Sequence, residues 1–273
     1  MGKKQISSTV VANLCVCPID RHTGLPLIQQ IRQSILAKID TNAVHSIDRF
    51  FKEGETAKTY GVKSNDVRII AKTTFQQIKD YPKQEIFDMC EEFWKSGYME
   101  EIVVACVWTE LLVKQFEPED FTVFERWLSH YVNNWAACDT LCNHTIGEFV
   151  MKYPNYITKL VAWTKSPNRW VKRGAAVTLI IPARKGLFLK EIIEIANILL
   201  LDTDDMVQKG YGWMLKAASL SETFVKGNDE VKQKHLETVY NFVVKNRAVM
   251  PRTALRYAIE KMPEALKIEA MKK

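Results

Sequence analysis

The chain has 273 residues, 47% of them hydrophobic and 26% charged, with 11 Gly and 9 Pro, which excludes wholesale disorder and collagen-like structure. The net charge is +6, and the length suffices to bury a real core in one large domain or two small ones. No apolar run reaches the roughly 18 residues of a membrane span, and the best of them, 192–201, is interrupted by Glu194 and Asn197.

The first segment, 1–25, reads as a loosely ordered tail. Lys3 and Lys4 imitate the start of a signal peptide, but the apolar stretch after them is short, is broken by Asn13 and runs into Pro18 and Asp20, so a cytosolic protein is the expectation. Cys15 and Cys17 lie near His22, and Cys138 and Cys142 near His144. Neither group has a second ligand pair at zinc-finger spacing, so the six cysteines read as reduced thiols and no metal or cofactor is expected.

From Ser64 onward the periodicity is helical. Val67, Ile70, Ala71, Thr74, Phe75 and Ile78 follow the spacing of one helix face behind the capping chemistry of Ser64, Asn65 and Asp66, and Pro82 closes the segment. Further helices are predicted over 100–115, 118–132, 134–152, 154–164, 167–181, 187–201, 203–218, 230–245 and 251–261. The punctuation between them is short, as in Ser166-Pro167, Pro182 and Gly186. Val177 to Ile181 is apolar enough for a strand but reads as the end of the 167–181 helix, and no hairpin signal is present. Trp94, Trp135, Trp170 and Trp213 lie 41, 35 and 43 residues apart, which brackets the roughly 40-residue period of HEAT-type helix pairs. The prediction is an all-α solenoid of tandem antiparallel helix pairs with a basic concave face, forming one domain over 26–273.

The charge is unevenly placed. Residues 1–136 carry 16 basic and 18 acidic side chains, and 137–273 carry 22 and 14. Residues 165–190 contain seven basic side chains (Lys165, Arg169, Lys172, Arg173, Arg184, Lys185, Lys190) and no acid, and 245–256 contain four more with none. A polyanionic partner, nucleic acid first, or a solvated lysine surface both fit this pattern.

No G-x-S-x-G, Walker loop, H-E-x-x-H or Rossmann glycine pattern is present. Four fragments at helix starts carry the remaining chemistry. In Asn134-Trp135-Ala136-Ala137-Cys138-Asp139, Trp135 and Asp139 share a helix face; an aromatic plate beside a carboxylate suits a cationic base, while a core tryptophan and an acid favoured by the helix dipole suit the same pattern. In 166–173, Arg169, Lys172 and Arg173 meet a helix N-terminus in a phosphate-like arrangement, or form a solvated basic turn. In 202–216, acids cap a helix in which Gly210 and Gly212 make room for close packing or a ligand beside Trp213, with Lys209 and Lys216 nearby. In 250–256, Arg252 and Arg256 share one face.

Taken in order, these fragments resemble the AlkD-like family of DNA alkylation-repair glycosylases. The resemblance starts at Tyr60-Gly61-Val62-Lys63-Ser64-Asn65-Asp66-Val67-Arg68, continues through Asn134-Trp135 to Asp139, Asn168 to Arg173 and Gly210 to Lys216, and ends near Arg252 to Ala258, covering roughly 28–262. It implies a HEAT-like domain whose basic concave surface embraces duplex DNA, and hydrolysis of the N-glycosidic bond of cationic N3- and N7-alkylpurines without a cofactor. It implies Asp139 as the catalytic carboxylate, Trp135 and Trp213 as the aromatics bordering the lesion, and Arg173 at the DNA-binding face. Arg169, Lys172, Lys209, Lys216, Arg252 and Arg256 are then the candidate phosphate contacts. Lys216 stands where the family pattern has arginine, and Phe50 and Phe51 stand where a tyrosine near the lesion is expected. A monomer acting on alkylated double-stranded DNA in the cytoplasm, nucleoid-associated if bacterial, is the implied context. A catalytically silent DNA-structure binder and a helical protein scaffold are the alternatives. Lyase chemistry would need a nucleophilic lysine, and no lysine is marked out for it.

Overall fold

The computed structural model describes residues 24–40, 57–219 and 229–272. The predicted tail is thus outside the described residues up to position 23, as are Cys15, Cys17, Phe50 and Phe51. Gly24 and Leu25 are not part of a loose tail: they begin the first helix.

Among the described residues the regular elements are helical, with one isolated bridge between Lys58 and Tyr98. In chain order they are α1 (Gly24–Leu36), α2 (Ser64–Phe75), α3 (Lys83–Ser96), α4 (Met99–Leu111), α5 (Asp120–His130), α6 (Trp135–Thr140), α7 (Gly147–Lys152), α8 (Ile157–Trp163), α9 (Arg169–Val177), α10 (Ile180–Arg184), α11 (Leu189–Ile198), α12 (Asp205–Ser219), α13 (Asp229–Asn246), α14 (Arg252–Ile259) and α15 (Glu264–Met271). A π-helical segment, Leu141–Ile146, joins α6 to α7. The closest packing is between helices near each other in the chain: α2 on α4, α3 on α4, α9 on α12, and α12 on α14. This is the contact pattern of an all-α helical repeat.

The helical periodicity translates directly into packing. Trp108 on α4 is buried and donates its indole N–H to the Ala71 carbonyl of α2 at 2.9 Å. Trp163 on α8 donates to Glu125 on α5 at 2.6 Å. Such bonds let a large aromatic fill the core without stranding its N–H. The four spaced tryptophans divide into two kinds: Trp94 and Trp170 are buried, whereas Trp135 and Trp213 are half-buried against the edge of the core.

Several boundaries differ from expectation. Helix α3 was absent from the sequence prediction, although Ile86, Cys90, Phe93 and Trp94 form a buried stripe. It ends where Gly97 turns left-handed, with φ 73°, and returns its N–H to Trp94. Helix α15 lies beyond the last predicted segment. The 167–181 helix is two helices, because the chain breaks at Thr178 and Leu179 and resumes as α10. Pro182, expected as a terminator, sits inside α10. It falls in the first turn, where an N–H has no helical acceptor to lose.

Candidate functional site

The site is built at the junction of α6, α9 and α12. Asn134 starts α6. Its backbone is extended, with φ −149° and ψ 164°, and its side chain accepts from the Ala137 N–H at 2.9 Å. The cap is buried and its amide N–H group donates to Asn133 at 2.9 Å. A fixed first turn sets the direction of Trp135 and, one turn later, of Asp139. Behind them the Cys138 thiol contacts the Trp170 carbonyl at 3.5 Å and ties α6 to α9.

Asp139 faces Arg173 of α9. The pair is bidentate: Arg173 Nε donates to Oδ1 and Nη2 to Oδ2, each at 2.8 Å. The third arm of the guanidinium, Nη1, donates to the Met206 carbonyl in the first turn of α12 at 2.5 Å. One arginine therefore locks three helices, using the planar fork that only arginine provides. Gly210 leaves the room: a Cβ there would lie 3.2 Å from Arg173 Cγ. Gly212 serves packing of another kind, since its Cβ would stand 2.7 Å from Tyr257 Cβ and 2.8 Å from the Ala254 carbonyl of α14.

The Arg173 side chain is 6% exposed and the Asp139 side chain 13%. Burial pushes the Asp139 carboxyl up, against the hydrogen bonds and positive charge of Arg173, and leaves it above the ordinary aspartate value. On Arg173 burial acts downward, but the hydrogen bonds and charge of Asp139 outweigh it and hold the guanidinium cationic. Each carboxylate oxygen accepts one bond from Arg173, so each keeps a second lone pair for another partner.

Trp135 and Asp139 share one face of α6, and Trp213 is carried by α12, whose first turn holds Arg173. The other candidates divide. Arg169 is paired with Asp204 at 2.8 Å and Asp205 at 3.5 Å, and its guanidinium lies 5.1 Å from the Trp170 ring centre. Lys172 pairs with Asp202 at 2.5 Å and Lys209 with Asp205 at 3.4 Å. Lys216 is further along α12, bonded to Glu260 at 2.8 Å and over the Tyr257 ring at 5.5 Å. Arg252 and Arg256 are exposed on α14, which packs on α12; Arg252 reaches the Met271 sulfur at 3.4 Å and Arg256 lines a groove beside α15. The acids at 202–205 were read as caps. Asp204 is one, accepting from Met206 N at 2.8 Å and Val207 N at 3.3 Å. Their second role, as counter-ions to the basic segment, has no sequence signal, because the partners lie 30 or more residues away. The same is true of the Met206 carbonyl.

Cys138 and Cys142 are buried. Burial pushes the Cys138 thiol well above its ordinary value. Among the described residues no group of three or more His, Cys, Asp or Glu side chains gathers as a metal site, and no helix is long and apolar enough to cross a membrane.

The model of the family described as "DNA alkylation repair enzyme" matches residues 31–262. The chain belongs to that family. A solved structure described as a predicted DNA alkylation repair enzyme from Enterococcus faecalis superposes with a TM-score of 0.65 at 15% identity, covering 83% of this chain and 98% of the other. At that identity the likeness speaks for the shared helical repeat fold. A search of curated proteins gave no match.

Proposed function

We propose that this member of the family is a monofunctional DNA glycosylase that hydrolyses the N-glycosidic bond of cationic N3- and N7-alkylpurines in duplex DNA, with residues 26–273 acting as one DNA-binding domain. The observation that carries the reading is the largely buried carboxylate of Asp139, 13% exposed, fixed by the Arg173 fork and sharing a helix face with Trp135.

The chemistry needs little more. An alkylated purine is already cationic and leaves with the bonding electron pair as a neutral base, so no acid has to protonate it. The sugar it leaves develops oxocarbenium character. A preorganised carboxylate beside that charge stabilises it or orients the attacking water, an effect worth about 3–4 kcal/mol for a key group. Asp139 suits this role because its remaining lone pairs are not taken by Arg173 and its surroundings are poor in water. Trp135 and Trp213 border the lesion on this reading, each offering an aromatic face to a cationic base. Arg173 positions Asp139, and cations around the site hold the phosphate backbone, which gives affinity without sequence preference.

The test is incubation of the purified chain with methylated duplex DNA and measurement of free 3-methyladenine and 7-methylguanine, with strand nicking followed in parallel. Release of base without nicking is the expected result. Binding to the duplex without release of either base contradicts the glycosylase reading and favours a silent DNA binder.

A further inference from the structure

Along α6 the polar side chains are bonded. Asn134 caps the helix, Asp139 holds Arg173, and Thr140 Oγ1 donates to the Ala136 carbonyl at 2.7 Å. Asn143, in the π-helical segment that follows, is different. It is 7% exposed, and among the described residues its Oδ1 is buried without a hydrogen-bond partner. An orphaned buried oxygen destabilises a fold, so an apolar side chain of the same shape would suit the packing better. Asn143 follows Asp139 by four positions, and the helix runs on without a break through Leu141–Ile146. The register holds across that segment. Cys138 contacts the Trp170 carbonyl at 3.5 Å, and Cys142 Sγ lies 3.3 Å from where a Gly174 Cβ would stand. Trp170 and Gly174 are one turn apart on α9, so residues four apart on the facing helix still look out on one side. Asn143 therefore lies one turn beyond Asp139, on its side of the helix. Thr145 Oγ1 is also unpaired, but six positions from Asp139 it falls on the far side.

We propose that Asn143 is a second catalytic residue, which fixes the attacking water against Asp139. The inference rests on the glycosylase reading and deepens it. Asp139 alone does not orient a water, because a molecule held by one hydrogen bond is free to turn about it. A second bond from one turn away removes that freedom. Side chains four apart on a helix have Cβ atoms about 5–6 Å apart, a gap that one water bonded to both can span. An amide carries an acceptor at one end and donors at the other, and a half-turn about χ2 exchanges them. With Oδ1 turned to the water, one O–H is given to Asp139 and the other to Asn143, and both lone pairs are left for the sugar. The water oxygen then bonds to C1′ as the bond from C1′ to the purine nitrogen breaks. The purine takes the bonding pair, and the water's proton passes to Asp139. The π-helical turn fits this role, since such turns inside α-helices are frequent at functional sites.

The experiment compares the wild type with Asn143→Leu in single-turnover release of 7-methylguanine at saturating methylated duplex, with duplex affinity and melting temperature measured alongside. Release is expected to slow about 10- to 100-fold, with duplex affinity unchanged. The melting temperature is expected to hold or rise, because the branched apolar side chain removes an unpaired buried oxygen. In an Asp139→Asn background the same substitution is expected to bring less than about two-fold further loss, since the two groups act on one water. Release at the wild-type rate overturns the proposal, and so does a full additional loss in the Asp139→Asn background. Asn143→Ala is read by the same release and affinity criteria if thermal melting shows Asn143→Leu to be misfolded. Slower release matched by an equal loss of duplex affinity marks a structural amide and overturns the proposal. Wild-type protein that releases no base defeats the glycosylase reading and this inference with it. Wild-type release that neither substitution slows defeats the role of Asn143 alone.

Discussion

Two arginine–carboxylate forks sit in different parts of the molecule, and they are built to opposite ends. Arg32 of α1 grips Glu101 of α4 through Nε at 3.1 Å and Nη2 at 2.9 Å. Arg173 grips Asp139 with the same two atoms at 2.8 Å. In the first pair the carboxylate is sealed at 0% exposure and takes a further bond from the Tyr60 hydroxyl at 2.6 Å, while the arginine is 25% exposed. In the second the arginine is the sealed partner and the carboxylate has the opening. Next to Glu101, Glu100 is also buried: Oε1 accepts from Thr59 Oγ1 at 2.7 Å, Gly61 N at 2.9 Å and Val62 N at 3.0 Å, pinning the segment before α2. A fully sealed acid holds the fold together, and an acid with an opening to solvent is available for chemistry. The difference lies in the surroundings and not in the pair.

Arg173→Ala is expected to have the largest effect. It leaves a buried carboxylate unpaired and the Met206 carbonyl without its donor, and should cost about 3–5 kcal/mol in denaturant unfolding. A loss under 1 kcal/mol would mean that the pair does not lock the three helices. Tyr60→Phe sharpens the contrast from the other side. It keeps the ring stacked on Tyr98, 4.0 Å away, and removes only the hydroxyl bond to Glu101. The expected loss is about 1.5–3 kcal/mol, typical of a bond to a charged group, with no change in the rate of base release. A slowed release would place Glu101 in the chemistry and erase the distinction. The smallest effect is a titration. Because burial raises Asp139 above 3.8, the folded chain holds this proton more tightly than the unfolded chain does. Stability therefore declines as pH rises from the ordinary aspartate value through the raised one, while the reactive carboxylate accumulates over the same window. Carboxyl carbon NMR should show Asp139 titrating above 3.8, with the acid limb of the release rate tracking it. Titration below that value would remove the role given to burial.

The sequence carried the helical repeat well because apolar spacing is a local property. The runs through α2, α4 and α12 can be read directly, and the family fragments include Asp139, Trp135 and Arg173, which the fold brings to one junction. The stripe of α3, Ile86, Cys90, Phe93 and Trp94, is an equally local signal. What could not be read is non-local. Nothing in the sequence pairs Arg173 with Asp139, 34 positions away, or turns the basic run at 165–190 into a set of cations answered by the 202–205 acids. A charge run reports composition, whereas free charge depends on which helix ends meet. Pro182 fails for a similar reason, since only the position of the α10 start decides whether it terminates a helix or opens one.

On this mechanism Asp139, with its small opening, performs the reaction and the sealed Glu101 does not. This is tested most directly by single-turnover release of 7-methylguanine from methylated duplex by Asp139→Asn and Glu101→Gln, each at a temperature where it is folded. The account predicts that Asp139→Asn slows release by about 100- to 1,000-fold with DNA affinity retained, and that Glu101→Gln lowers the melting temperature while releasing base at the wild-type rate. Wild-type release by Asp139→Asn would contradict it.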